Sequence, residues 1–428
     1  MSYIIFQIFF FCFLLYWVFK QNKSGVSKII LVEWLISCIF TYVYTYFRLE
    51  TDVDFDFLPV LYWDVCYLIY LFPVLGIEVR KIDASDKFVE YSIIFLMFLG
   101  ILSLLPFYEN LVYLIKNYAI QSSTILEIYE DKMDVYNKAN LVTWLSPISV
   151  AIQNLILKFN YSALIIFFII ISKREYISNI KLLLFACYFF NSICYSLNYS
   201  GRGAFVEFAL VASVFYLIFR DIIVLRISTI AKVSFLSGLI GATICLLILT
   251  VIRVGSDSDN VEYWLSASLY LGEGQVNFFE HMWNCKASAQ GDYNFSFIKD
   301  ILGLDTFTDY LRRREYWCYS RVGYDPVRFY TFIGGLFADL RYYTILFILF
   351  LSYFFYRMLR KCDGKYSLLS LYMIYVYLDI LVMGFSIFNF MVYSKMRQVI
   401  VNVLYLFIFI ILTNERTRSY NHKYGGKK

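Results

Sequence analysis

Residues 1–19, MSYIIFQIFFFCFLLYWVF, form an apolar run without a single acidic or basic side chain. A helix needs about 20 mainly apolar residues to cross the hydrocarbon core of a bilayer, because its backbone groups must be satisfied within the segment. This run therefore predicts a transmembrane helix. We expect it to be a retained span rather than a cleaved signal peptide, because no basic residues precede the apolar stretch.

The composition of the whole chain agrees with this first stretch. Of its 428 residues 60% are hydrophobic, 21% are aromatic and 17% are charged. A soluble domain is nearer one half apolar and one quarter charged. These proportions exclude a soluble enzyme, a nucleic-acid-binding domain and a disordered chain. They indicate a protein that resides in the lipid bilayer.

Further apolar runs of suitable length recur along the chain. They cover residues 29–47, 57–77, 91–107, 143–172, 180–197, 204–219, 233–252, 342–358, 367–386 and 398–413. Together with the first run they predict an all-α polytopic integral membrane protein with about 11 (10–12) transmembrane helices.

Basic residues are concentrated in every second predicted loop. Lys20, Lys23 and Lys28 precede the second run, and Arg416 and Arg418 belong to a basic C-terminal tail. Cytoplasmic loops of membrane proteins carry an excess of Lys and Arg. The pattern therefore places the basic loops and the C-terminus in the cytoplasm.

The run lengths predict a division of the chain into three parts. Residues 1–252 form an N-terminal bundle of about eight spans, which includes an interfacial segment near 108–142 on the outer side. Residues 253–341 form one large extracytoplasmic loop, and residues 342–428 form the C-terminal spans and the basic tail. A loop this long is usually functional.

The large loop contains the side chains best suited to acid–base chemistry. Glu273, Glu280 and His281 lie within YLGEGQVNFFEHMW, and Asp339 lies at the end of the loop. An imidazole or a carboxylate can accept a proton from a substrate hydroxyl. We take these four residues as candidate catalytic groups, although an ordinary hydrogen-bonded loop role is the simpler explanation for each.

Three arginines on the predicted outer side are candidates for binding an anion. Arg253 and Arg328 adjoin apolar runs, and Arg202 lies in the turn NYSGRGA between two spans. A guanidinium binds phosphate oxygens through a planar fork of donors. The alternatives are that Arg253 and Arg328 are interfacial anchors and that Glu207 neutralises Arg202. We interpret Arg312, Arg313 and Arg314 as a solvated surface.

Ionisable and metal-binding side chains elsewhere give weaker signals. Glu33, Asp64 and Asp379 fall inside apolar runs, where we expect structural pairing in preference to a wet path. Cys285 and Cys318 could pair in an oxidising compartment. With only two His and no CxxC or HExxH motif in the chain, we predict no metal site.

Two short motifs and the predicted architecture together resemble a known family. The stretch VRFYTFIGGLFAD (327–339) is similar to a pattern found before a membrane helix in bacterial oligosaccharide repeat-unit polymerases of the Wzy type. The stretch SGRGA (200–204) is similar to the Arg-containing outer turn of that family. The resemblance departs from the pattern at Leu340 and Arg341, where a Phe-Gly pair is more usual.

The resemblance implies a membrane glycosyltransferase of the bacterial inner membrane, active in O-antigen or capsule biosynthesis. It implies transfer of a growing glycan from an undecaprenyl-diphosphate carrier to the next lipid-linked repeat unit, without a cofactor or a metal. Arg202, Arg253 and Arg328 would then bind the diphosphate, while Tyr330 would contact a sugar. The expected partners are the lipid-linked oligosaccharides, the bilayer and a chain-length regulator, and no nucleic acid.

Two other functions compete with this interpretation. An O-antigen ligase or another lipid-carrier glycosyltransferase would share the donor and the large loop. A lipid-linked oligosaccharide flippase is third, because flippases are expected to have internal repeats and short loops, and no repeat is visible in this sequence.

Overall fold

The computed structural model describes the chain in ten stretches. They cover residues 2–21, 23–47, 56–116, 144–173, 177–198, 202–223, 268, 271–304, 330–385 and 393–424. The described residues are mostly helical, which agrees with the predicted all-α class. The predicted span 233–252 lies outside them, as does most of the interfacial segment 108–142.

Helices occupy the other predicted spans. They are α1 (Ser2–Lys20), α2 (Gly25–Phe47), α3 (Phe57–Leu71), α4 (Asp86–Ile115), α5 (Pro147–Lys173), α6 (Asn179–Asn198) and α7 (Arg202–Phe219), then α8 (271–277), α9 (Ser296–Ile301), α10 (Phe332–Leu340), α11 (Thr344–Cys362), α12 (Leu368–Val382) and α13 (Tyr393–Tyr424). Among the described residues, six helical segments are long and apolar enough to cross a membrane: Ser2–Lys20, Gly25–Phe47, Phe57–Gly76, Asp86–Ile115, Pro147–Lys173 and Phe332–Cys362. Four further apolar helices are shorter.

The chain divides into two compact units. Unit 1 consists of Met1–Glu78, Val254–Gly364 and Val376–Arg397, and unit 2 consists of Val79–Arg253, Lys365–Tyr375 and Gln398–Lys428. Both units combine segments that are far apart in the sequence, so long-range packing organises each of them.

Unit 1 has an aromatic core between α1, α2 and α3. The ring of Tyr67 is stacked on Trp63 at a centroid distance of 5.6 Å and lies 4.6 Å from Trp34 and 5.2 Å from Phe11. Large rings bury much apolar area per side chain and favour offset or tilted contacts of this kind. The high aromatic content of the sequence is therefore used for packing inside the bundle as well as at its surface.

Two of the three carboxylates predicted to pair within the spans of unit 1 do have partners. Asp64 accepts the side-chain amide of Gln7 at 2.7 Å, and Asp379 lies 3.6 Å from the ammonium group of Lys395. A buried carboxylate needs such compensation. Glu33 does not follow the prediction, because neither of its carboxyl oxygens has a hydrogen-bond partner in the described part of the chain.

Unit 2 is held together by amide side chains that connect its helices. Asn110 in α4 donates to Asn191 in α6 at 3.0 Å, and Asn191 donates to Gln153 in α5 at 2.8 Å. Asn198 donates to the carbonyl of Asn110 at 2.8 Å. A short parallel pair, β1 (Lys81–Ile82) with β2 (Lys365–Tyr366), also belongs to this unit. Interhelical hydrogen bonds of this type are a normal means of association between membrane helices.

Candidate active site

The segment 271–282, which belongs to the predicted outer loop, forms a buried helix in unit 1. Every residue from 272 to 279 is buried. Two glycines permit this, because a Cβ on Gly272 would lie 2.4 Å from the carbonyl oxygen of Phe40, and one on Gly274 would lie 2.8 Å from that of Phe385. The backbone of α8 therefore packs directly against neighbouring backbone on two sides.

Hydroxyl groups of α2 attach this helix to the bundle. Ser37 donates to the carbonyl of Leu271 at 2.7 Å, and Thr41 donates to the carbonyl of Gly272 at 3.2 Å. Ser37 and Thr41 lie four residues apart, on one face of α2. The first residues of α8 are thus tied to a predicted membrane span.

Glu273 lies on the buried part of α8. Glu273 is only 9% exposed, and its carboxylate accepts a hydrogen bond from the side-chain amide of Asn277 at 3.0 Å. Seven residues separate it from Glu280, which corresponds to about 10 Å along a helix. Glu273 and Glu280 therefore belong to different parts of the segment.

The end of the helix is a π-helical turn that carries Glu280 and His281. The turn covers Phe278–Met282, and the backbone N–H of Trp283 donates to the carbonyl of Phe278 at 3.0 Å, the i to i+5 bond of a π-helix. The His281 Nε2 atom lies 3.5 Å from a carboxylate oxygen of Glu280, and the two side chains are 37% and 16% exposed. Single π-helical turns are frequent at functional sites. The turn thus presents a carboxylate and an imidazole together, with the imidazole accessible.

Asp339 has a different environment from the other predicted acid–base residues. Its carboxylate accepts the backbone N–H groups of Gly291, Tyr293 and Asn294 at 2.9, 3.2 and 2.7 Å, and the side-chain amide of Asn294 at 2.8 Å. Its backbone carbonyl accepts the hydroxyl of Ser288. The carboxylate oxygens are occupied by these donors, which favours an anchoring role for Asp339 over proton transfer.

Arg341, which the sequence reasoning did not select, lies beside the π-helical turn. Its guanidinium donates to the carbonyl of Met282 at 3.4 Å and to the sulfur of Cys285. It also lies over the rings of Phe337 and Tyr342, at 5.0 and 5.6 Å from their centroids. None of the described residues gives it a carboxylate partner. Its φ of 53° is unusual for a residue other than glycine.

The aromatic side chains around Arg341 form one cluster, defined here as Tyr62, Trp283, Phe337 and Tyr342. The rings of Trp283 and Phe337 are stacked at 5.5 Å, and Tyr62 and Tyr342 both meet Trp283 edge-on or tilted, at 5.3 and 5.1 Å. Aromatic rings that pack against the flat face of a guanidinium do not use its N–H groups, which point outward from the edge of the plane. This arrangement suits an arginine that binds an anion.

Of the other predicted binding residues, only Tyr330 has a side chain that the structure describes. Arg253 and Arg328 lie outside the described residues. Arg202 begins α7 in unit 2, and its side chain also lies outside the described structure. Tyr330 is only 1% exposed, so its ring is part of the core and is closed to a sugar in this conformation.

Cysteine and metal chemistry gives no further site here. Cys285 is a free, buried cysteine, and its predicted partner Cys318 lies outside the described residues. Within the stretches that the structure describes, no three His, Cys, Asp or Glu side chains are grouped so as to hold a metal ion.

Comparison with known proteins adds no assignment to this geometry. No protein-family model, no curated protein and no solved structure matches the chain.

Proposed function

We propose that the chain is a membrane glycosyltransferase that polymerises oligosaccharide repeat units carried on undecaprenyl diphosphate. The observation that carries the proposal is the π-helical turn 278–282, where the Glu280–His281 pair and the Arg341 guanidinium contact the same short segment. Transfer from a lipid diphosphate requires a proton acceptor close to a cation, and Arg341 has no carboxylate partner among the described residues.

The chemistry assigns a role to each group. A hydroxyl of the acceptor sugar attacks the anomeric carbon of the donor glycan, and the bond from that carbon to the diphosphate oxygen breaks. The Glu280–His281 pair accepts the hydroxyl proton, with Glu280 orienting the imidazole. Arg341 stabilises the negative charge that develops on the departing lipid diphosphate. Arg202, Arg253 and Arg328 remain candidates for additional diphosphate contacts.

An apolar groove in the same unit is suited to a lipid carrier. It lies between α3 and α11, has a volume of about 380 Å³ and is lined by Leu68, Phe72, Pro73, Leu349 and Tyr356, among others. A hydrocarbon chain can lie against such an apolar lining without leaving polar groups of its own unpaired. The groove therefore supports a substrate with a long isoprenoid chain.

We also propose the arrangement in the membrane that the sequence predicted. The chain would span the bacterial inner membrane about 11 times, with residues 253–341 outside the cytoplasm and the C-terminus inside. A chain-length regulator would be its protein partner. Reporter fusions after residue 428 and within residues 305–329 test the orientation, because they should report opposite sides of the membrane.

The decisive experiment measures glycan length in a strain that lacks this gene. The strain is complemented by wild type, Glu280→Gln, His281→Gln or Arg341→Gln, with Asp300→Asn and Arg360→Gln as exposed controls. We expect single repeat units on the surface lipid of the null strain and of the three site variants, and long polymer in the controls. All variants should have equal membrane abundance.

The same experiment separates the competing functions. Accumulation of repeat units at the inner face of the membrane would support a flippase. Full-length polymer that stays unattached would support a ligase. Arg202→Ala, Arg253→Ala and Arg328→Ala, tested in the same strain, report whether these arginines are needed for chain growth.

A further inference from the structure

Glu33 is an ionisable side chain without compensation inside a segment long enough to cross a membrane. Both oxygens of its carboxyl group are buried, and neither has a hydrogen-bond partner in the described part of the chain. The one other charged residue of α2 is Lys28, whose ammonium group lies 4.9 Å from the centre of the Phe19 ring. No cation that the structure describes neutralises this carboxyl.

Tyr67 lies within electrostatic range of Glu33. Tyr67 is fully buried, its hydroxyl has no hydrogen-bond partner among the described residues, and Glu33 acts on it electrostatically. The ring of Tyr67 is surrounded by Phe11, Trp34 and Trp63. The surroundings of Tyr67 are therefore aromatic.

The other titratable groups on α2 and on its neighbours α1, α3 and α8 include two acids and two thiols, and both acids have partners of their own. Asp64 in α3 accepts the Gln7 amide, and Glu273 in α8 accepts the Asn277 amide. Cys38 contacts Gln275 and lies within electrostatic range of Asp64, of Cys12 in α1 and of Tyr67. None of these groups supplies the positive charge that a Glu33 carboxylate would need.

The protonated form of Glu33 fits this environment better than the carboxylate does. A carboxylate in an apolar interior without donors is much less stable than the neutral acid, because nothing replaces the water that it loses. The neutral acid also contributes an O–H donor, and the Tyr67 hydroxyl, which has no partner among the described residues, can accept a hydrogen bond.

We propose that Glu33, together with Tyr67, forms a proton-binding site within the core of unit 1. Its ligand is a proton, held at neutral pH on the Glu33 carboxyl. The site is separate from the Glu280–His281 pair, and the proposal does not rest on the glycosyltransferase function.

Infrared difference spectroscopy of the purified protein in lipid vesicles tests the site. At neutral pH we expect the carbonyl band of a protonated carboxylic acid, which shifts in deuterated water and is lost in Glu33→Gln. Asp64→Asn is the matched control and should retain the Glu33 band. Gln has nearly the same size as Glu and no charge, so Glu33→Gln should fold; gel filtration and circular dichroism verify this.

Chemical labelling of the wild-type protein gives a second measurement that needs no variant. Dicyclohexylcarbodiimide partitions into membranes and adds to protonated carboxyl groups, so mass spectrometry should find its adduct on Glu33. Exposed carboxyls such as Glu90 should react instead with a water-soluble carbodiimide. An acid band that has the same amplitude in Glu33→Gln as in the wild type, or a Glu33 that stays unmodified, would overturn the proposal. Protection by sodium but not by potassium would also overturn it, in favour of a metal cation.

Discussion

The carboxylate of Asp339 accepts the backbone N–H of Asn294 at 2.7 Å, although 45 residues separate them in the sequence. The side-chain amide of Asn294 completes the contact by donating to the same oxygen at 2.8 Å. This relationship connects the end of α10, two residues before Arg341, to the stretch that follows the π-helical turn.

Replacing Asp339 should therefore loosen the loop 288–295. In Asp339→Asn the amide nitrogen faces backbone N–H donors, and several hydrogen bonds to a charged acceptor are lost. We expect the free energy of unfolding to fall by about 1–3 kcal/mol. Thermal unfolding in detergent measures the loss, and limited proteolysis should cleave faster within residues 288–304. Asp300→Asn at an exposed position is the control; equal stability of the two variants would contradict the anchoring role.

A side chain added at Gly272 in α8 should destabilise the protein. The Cβ of Gly272→Ala would lie 2.4 Å from the carbonyl oxygen of Phe40, and backbone atoms cannot move away as a flexible side chain can. We expect a loss of about 1–3 kcal/mol in unfolding free energy from this overpacking. Gly76→Ala is the matched control, because no atom lies within 4 Å of its added Cβ. Similar melting temperatures for both variants would show that α8 does not pack against α2 as described.

Cys285 should react slowly with thiol reagents. Burial raises the pKa of its thiol, and the nearby Arg341 guanidinium acts in the opposite direction without cancelling this effect. At neutral pH less thiolate is present than for a free cysteine, so alkylation should be slow and should accelerate as the pH rises. Mass spectrometry with a maleimide reagent measures the rate, with the less buried Cys362 as an internal reference.

The same measurement tests the role of Arg341. Removal of the guanidinium in Arg341→Gln should raise the pKa of Cys285 further and slow its alkylation at a given pH. Faster alkylation would mean that Arg341 shields the thiol sterically and has little electrostatic effect on it. A disulfide between Cys285 and Cys318 in native membranes would leave no thiol to alkylate, and a non-reducing gel distinguishes that case.

The amide network of unit 2 predicts a stability effect that is independent of catalysis. Asn110 accepts the indole N–H of Trp144 at 3.0 Å and donates to Asn191 at the same distance. Asn110→Ala removes the hydrogen bonds to the buried Asn191 and the half-buried Trp144, so we expect the free energy of unfolding to decrease by about 1–3 kcal/mol. Asn179→Ala, at the exposed start of α6, should change stability little. Equal thermal unfolding of both variants would argue against the network.

The sequence alone predicts the helical spans well, for a local physical reason. Runs such as 1–19 and 29–47 are long and apolar, and an apolar segment in lipid has to satisfy its backbone as a helix. Helices at every predicted span within the described residues agree with this expectation. The partners of Asp64 and Asp379 were also predicted in kind, since unpaired charges in a span are costly.

The candidate site was predicted only in part. Glu280 and His281 are neighbours in the sequence, so their proximity required no tertiary information. The occupied carboxylate of Asp339 was not visible, because its donors lie more than 40 positions away. The burial of Tyr330 was not visible either. Arg341 was read as a departure from a motif, and its contacts with Met282 and Cys285, more than 50 positions away, appear only in the tertiary structure.

What the sequence by itself determines is therefore the class of the protein: a helical chain whose apolar runs suit a bilayer. The tertiary structure decided which polar residues are buried together. The contact of α8 with Ser37 and Thr41 joins positions more than 230 residues apart, and no local pattern encodes it. Glu33 and Asp64 have similar sequence surroundings, yet Asp64 has a hydrogen-bond donor and Glu33 has none among the described residues. Only packing determines which helix supplies a partner.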